Sequence, residues 1–196
     1  MGTRLAKGFW MSDQDHYSCL LLAIVSGNSR DWNFWRIDHP AVLPSLMAIE
    51  LSEISLPYIN LSRADLSYSN FSGTNLFHAN LQKADLTGAN LSGTNLRNAD
   101  LTGAILRHAN LTNADLQRAS LTGADLSGAR LGDANLTGAR LKDIKLGKGS
   151  ITAEAQRGAS VSLLEKAALR LSKPRIRGKF KPFPSSGVPV DSDERR

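Results

Sequence analysis

The side chains best suited to chemistry are four histidines, His16, His39, His78 and His108, and one cysteine, Cys19. A metal centre needs three or four such ligands converging on one point, and this spacing brings none together. His16 and His39 precede the repetitive part of the chain, and the repeat derived below puts His78 and His108 on opposite sides. Cys19 lies in an apolar helical run, where a thiol is ordinary core. The glycines recur with a five-residue period and form no phosphate-cradling loop. No catalytic residue, metal or cofactor is expected, and the reading is of a chain that is not an enzyme.

The elements that position everything else come from that period. Every fifth residue from Leu51 to Leu146 is leucine, nineteen times in twenty, with Phe71 the exception. Two residues before each runs a second series, from Ala64 to Ala139, of thirteen alanines, Ser69, Thr74 and Thr94. Between them stands Asn or Asp in most repeats. Five residues advance an α-helix by about 500°, which would scatter the leucines around its axis. On a flat strand every second leucine would face outward. The period makes sense only if the chain turns a corner of about 90° in each pentapeptide, with Ser, Thr, Asn and Gly at the corners. Ala and Leu then both point inward, and four sides close a coil of twenty residues.

The strings ADLTG, ANLTG, ADLSG and ANLSG closely resemble the pentapeptide-repeat family. The resemblance covers roughly half of the chain and implies an all-β solenoid, a right-handed quadrilateral β-helix. The length of the repeat gives about five coils. The expected organisation is an N-terminal extension and helical, aromatic cap over 1–45, the β-helix over 46–151, a short C-terminal helical cap over 152–171 and a basic flexible tail over 172–196. Ser12 is placed to cap a helix from about Asp13 to Val25, and the segment Asp31–Arg36 precedes Pro40 and Pro44. The Trp-Asn-x-Trp-Arg string resembles a leader found in some family members from photosynthetic bacteria. Trp32, Phe34 and Trp35 are read as a plug for the first coil, with docking of a partner as the alternative. Ile49, Ile54, Ile59 and Ile144 replace Ala only near the two ends, which suggests wider terminal coils. Met11 offers a second start, and no structural pattern precedes it. Val161 to Leu171 has helical periodicity, suited to capping the last coil or to pairing with its twin in a homodimer.

Residues twenty apart are vertical neighbours, so the outer surface reads as columns. Pro57, Tyr58, Phe77, His78 and Arg97 gather at one corner of a rod otherwise coated with Ser, Thr and Asn. Aromatics and Arg are the residue types that anchor interfaces. This group is a candidate protein-docking patch, the alternative being that the N-terminal helices fold back over it. Another column, Asp65, Asp85 and Asp125, interrupted by Ile105, reads as a solvated face.

Charge narrows the partner. The net charge is +6. Residues 46–151 hold nine acids and ten bases, whereas 152–196 hold five and ten. The excess therefore sits mainly in the C-terminal segment, where Arg170, Lys173, Arg175, Arg177, Lys179 and Lys181 run without an acid. Such a run suits nucleic acid or an acidic surface. Some relatives, the quinolone-resistance pentapeptide proteins, act on a type II topoisomerase as strongly acidic rods that mimic DNA. A near-neutral rod fits that alternative poorly and favours a non-catalytic protein scaffold. The longest apolar run, Cys19 to Val25, is far short of the ~20 residues of a membrane span. Asp13 and Asp15 stand where a signal peptide would be basic. One cysteine fits a reducing compartment, so the expected location is the cytoplasm.

Overall fold

The computed structural model describes residues 16–147. Two helices, α1 (His16–Ser26) and α2 (Arg30–Asp38), lead into a four-sided coil. The first residues of the expected Asp13–Val25 helix, the C-terminal helix over 152–171, the tail over 172–196 and the end of the rod beyond 147 lie outside the described residues. Parallel backbone pairings join each outward residue to the one twenty positions on, from Ser45↔Asp65 to Asp125↔Lys145. Every side repeats one hydrogen-bond pattern: Leu66 N–H donates to Asp85 O at 2.8 Å, and Asp85 N–H donates to Ala64 O at 3.0 Å.

The inward register follows the sequence. Leu51 through Leu126 at five-residue steps, Phe71 included, are buried, as are the alanines between Ala64 and Ala134. Where Ser or Thr replaces Ala, the hydroxyl still finds an acceptor in the core. Thr74 Oγ1 donates to Leu51 O at 2.6 Å, Thr94 Oγ1 to Phe71 O at 2.7 Å and Ser69 Oγ to Leu46 O at 3.0 Å. A buried hydroxyl without a partner would be costly; these three satisfy the rule.

The Asn or Asp before each leucine has a role that the period alone did not reveal. Its side-chain oxygen accepts from the backbone N–H two residues on, as in Asp65 to Ser67 at 3.0 Å and Asp85 to Thr87 at 2.9 Å. This side-chain-to-backbone turn pins the first corner residue. The second corner residue takes a left-handed conformation, with φ of 57° at Ala48 and 67° at Gly88. Large side chains at these corners lie over the corner of the following coil, where glycine often sits. A Cβ at Gly88 would stand 2.8 Å from the Tyr68 ring, whereas one at Gly123 would meet open space. Gly88→Ala is therefore expected to cost about 1–2 kcal/mol, combining backbone strain with displacement of Tyr68. Gly123→Ala should show the smaller, backbone part alone. Urea unfolding of the two variants side by side checks this; equal losses would remove the Tyr68 contribution.

At the N-terminal end, α2 takes the place of a missing coil. Within the rod, the carbonyls of Phe77, Asn80 and Gln82 accept from Tyr58, Leu61 and Arg63 of the coil before. One coil earlier, the equivalent carbonyls accept from side chains of α2 and of Ser29, the residue at its N-cap position. Ser29 Oγ donates to Pro57 O at 2.7 Å, Trp32 Nε1 to Asn60 O at 2.6 Å and Arg36 Nη2 to Ser62 O at 2.9 Å. Asn33 completes the set, accepting from Asn60 N–H at 2.8 Å and donating to Tyr58 O at 2.9 Å. These four residues occupy positions i, i+3, i+4 and i+7 of one helical face. They close an edge that would otherwise offer unpaired backbone groups.

Trp32 and Trp35 are buried in this cap, with ring centroids 5.3 Å apart, and Trp35 stacks on His39 at 4.9 Å. Phe34, grouped with them in the sequence reading, is 54% exposed and faces away. Two residues on a helix are separated by about 200°, so Phe34 cannot share the face of Trp32.

Candidate functional site

The corner bearing Pro57, Tyr58, Phe77, His78 and Arg97 keeps its aromatic side chains together. Tyr58 and His78 are vertical neighbours and stack, with centroids 5.3 Å apart and planes 10° apart. Phe77 meets both edge-on, 5.7 Å from Tyr58 and 4.5 Å from His78. Tyr58 and His78 stand at second corner positions with φ of 60° and 56°, which holds their side chains outward. Tyr58 is 59% exposed, His78 is exposed, and Pro57 and Phe77 are half-buried. Ser29 and Asn33 at the start of α2 engage the carbonyls of Pro57 and Tyr58, and the tyrosine ring stays exposed. Arg97, one coil above Phe77, lies 3.6 Å from Asp115. Its charge is thereby partly balanced.

Other side chains divide from this group. Tyr68 is also largely exposed, but half a coil away on the opposite corner. His108 is exposed and stands one and a half coils from His78, on the far side. Among the described residues there is no group of three His, Cys, Asp or Glu arranged to hold a metal ion. The Asp column differs from the solvated face expected of it. Asp65 and Asp85 are half-buried and Asp125 is almost wholly buried. Asp125 accepts from Arg107 Nε at 2.8 Å and from Ser127 N–H at 3.1 Å. Burial raises its carboxyl pKa, but the hydrogen bonds of Ser127 and Arg107 outweigh that effect and hold it below the usual value. Ile105 lies between Asp85 and Asp125 in this column and is partly exposed.

Sequence reasoning missed Arg30 and Ile37 beside the corner and grouped Phe34 with the tryptophans of the plug. Phe34 and Ile37 project from the outer face of α2, and the Arg30 guanidinium lies over the Phe34 ring, 5.6 Å from its centroid. With Pro57 and Tyr58 they line a groove of about 360 Å³ between helix and rod. The i, i+4, i+7 spacing of Arg30, Phe34 and Ile37 is legible once α2 is known to be a helix.

The model of the family described as pentapeptide repeats matches eight copies in this chain, over residues 45–82, 79–118 and 104–143. The chain belongs to the pentapeptide-repeat family. Members of this family form right-handed quadrilateral β-helices and are generally structural or binding proteins rather than enzymes. Among solved structures, a pentapeptide repeat protein from Nostoc Pcc 7120 is 31% identical, with 58% of this chain and 93% of that one covered and a TM-score of 0.45. One from the thylakoid lumen of Arabidopsis thaliana is 28% identical, covering 49% of this chain and 60% of that chain, with a TM-score of 0.33. QnrB1, a plasmid-mediated fluoroquinolone resistance protein, is 23% identical over 58% of this chain and 70% of that one, with a TM-score of 0.25. No curated protein matches this pentapeptide-repeat chain. Among the described residues, no helix is long and apolar enough to cross a membrane.

Proposed function

We propose that this pentapeptide-repeat chain is a non-catalytic scaffold or adaptor that docks a protein on one corner of its rod. The observation that carries this reading is the cluster of Tyr58, Phe77 and His78, three aromatic rings packed on one another at one corner of the rod, whereas the other exposed aromatic of the rod, Tyr68, has no ring beside it among the described residues. Pre-packed aromatics lose little conformational freedom on binding, which favours them as interface anchors. The proposed organisation keeps the boundaries given above: a helical cap over 1–45, a rod of about five coils over 46–151, a C-terminal helical cap over 152–171 and a basic tail over 172–196. The C-terminal helix is the element offered for pairing two copies, and the tail the only one offered to nucleic acid. The proposed location is the cytoplasm. Mimicry of DNA toward a topoisomerase is the less favoured reading, because the rod's nine acids face ten bases.

The test is affinity purification from the native host with the wild-type chain and with Phe77→Ser combined with Tyr58→Ser. A specific partner should be captured by the first and lost by the second, since truncating interface anchors typically weakens binding by about 30-fold or more. Thermal melting of the double variant keeps a folding defect distinct from lost docking. A partner retained at full strength by the folded variant overturns the patch.

A further inference from the structure

The groove between α2 and the first coil adjoins the aromatic corner, and its chemistry defines what fits there. Its walls are Phe34 and Ile37 on the helix and Pro57 and Tyr58 on the rod. Gly27, Asn28, Ser29, Arg30 and Asn33 complete the lining, and two backbone acceptors of the rod side are already engaged: Pro57 O takes the Ser29 hydroxyl and Tyr58 O takes the Asn33 amide. What remains open is mostly hydrocarbon and ring surface. The volume, about 360 Å³, lies at the small end of the ~300–1,000 Å³ typical of ligand pockets. That is room for one large side chain with its flanking backbone.

Among the described residues that line this space, one carries a charge, and it is positive. Arg30 is held over the Phe34 ring and has no carboxylate within ion-pairing distance among the described residues. Among the described residues, no carboxylate lines the groove. The groove also lies beside the N-terminal end of α2, where the helix dipole adds to the same sign. An apolar slot with an unneutralised cation at its rim complements an apolar anchor with an anion next to it. An aromatic anchor fits best, since Phe34 and Tyr58 offer ring faces and edges from both walls. A basic peptide is opposed by Arg30.

We infer that this groove binds a peptide segment of a partner protein that inserts one aromatic side chain between Phe34 and Tyr58 and sets a neighbouring carboxylate against Arg30. The inference rests on the docking reading above and specifies the partner's chemistry at its edge.

The probe is a fluorescein-labelled pentapeptide with tryptophan at the centre and aspartate or glutamate elsewhere, titrated into the full chain by fluorescence anisotropy. Its counterpart carries lysine in place of the acids. Saturable binding of the acidic peptide alone is expected. Phe34→Ser should abolish it, and Arg30→Glu should weaken it by about tenfold or more and shift preference toward the lysine peptide. Both residues are exposed, and circular dichroism of each variant confirms that the fold is intact.

Three results would overturn the inference. The first is no saturable binding, or binding indifferent to Phe34→Ser. The second is tighter binding of the acidic peptide when Phe9→Ser and Trp10→Ser are introduced together, which assigns the groove to the chain's own N-terminal segment. The third is a dimer in sedimentation that Phe34→Ser dissociates, which assigns it to a second copy. A captured partner lost with Phe77→Ser but not with Phe34→Ser, alongside peptides that fail to bind, removes the groove and leaves the docking corner standing. Peptide binding that depends on Phe34, with no partner dependent on Phe77, supports the groove and removes the corner.

Discussion

Leu106→Arg is expected to abolish the folded rod, with loss of soluble expression or, where protein is recovered, of a cooperative melting transition. Leu106 has no exposed surface and sits in the fourth of the coils that follow Leu46, with Ala104 and Ala109 buried beside it. Arginine there loses the leucine's transfer energy, about 1.5–3 kcal/mol. It must also bury a cation among leucines and alanines, where an unpaired ion costs several kcal/mol. Against a total stability of roughly 5–15 kcal/mol, the sum removes most or all of the margin. The position makes matters worse. A solenoid holds together through contacts between adjacent coils, so a defect here breaks two interfaces at once. Leu106→Ala provides a graded comparison, costing about 2–5 kcal/mol with the fold retained. Ala104→Phe tests the opposite error, since a square core has no space for a second large side chain on one side. Urea titration of all three gives the ranking; a Leu106→Arg chain that melts like the wild type would contradict the inward register.

That register was legible because each pentapeptide carries its own instruction. Leu faces in because it repeats, the Asn or Asp marks the turn, and the next coil reads the same pattern. Local repetition also exposed the odd corner, since Tyr58, Phe77 and His78 bring three aromatic residues to one place on a rod whose corners are mostly polar. What local reading could not supply was pairing across elements. Arg107 and Asp125 stand eighteen positions apart and meet at 2.8 Å only because the coil is closed. Asp125 therefore looked like any solvated Asp in its column. The groove was hidden for a similar reason. Trp32, Phe34 and Trp35 form one aromatic string in sequence, but the helix sends Phe34 outward and the tryptophans inward. Only the packing of α2 against Pro57 and Tyr58 turns Phe34 and Ile37 into a wall. The capping role of Ser29, Asn33 and Arg36 left no apolar periodicity to detect, because those side chains work through hydrogen bonds to a distant edge.

Those hydrogen bonds make Trp32 the second position of large effect. Its ring is fully buried in the cap, and its indole N–H donates to Asn60 O at 2.6 Å. Trp32→Ala removes one of the two buried indole rings of the cap, a change that typically costs about 3–5 kcal/mol. Trp32→Phe keeps most of the apolar area but leaves the Asn60 carbonyl without its donor, at about 1–3 kcal/mol. The two losses differ from Leu106→Arg in where they fall. In a stack of coils each unit is stabilised by its neighbours, so failure of the cap should open the first coil and leave distant ones paired. Hydrogen exchange is the measurement that reads this. In both Trp32 variants the amides of Leu46, Leu51, Leu56 and Leu61, each bonded to the coil above at 2.8 Å, should exchange faster than in the wild type. Those of Leu101, Leu106 and Leu111 should keep their protection. Faster exchange throughout the rod would mean that the solenoid unfolds as one unit and that the cap's stabilisation is shared by every coil. Unchanged exchange at Leu56 and Leu61 would mean that α2 does not stand in for the missing coil. Opening of the first coil also exposes the backbone groups of residues 57–62, an edge able to pair with other chains. Trp32→Ala is accordingly expected to aggregate at concentrations where the wild-type chain stays dispersed, which light scattering would register.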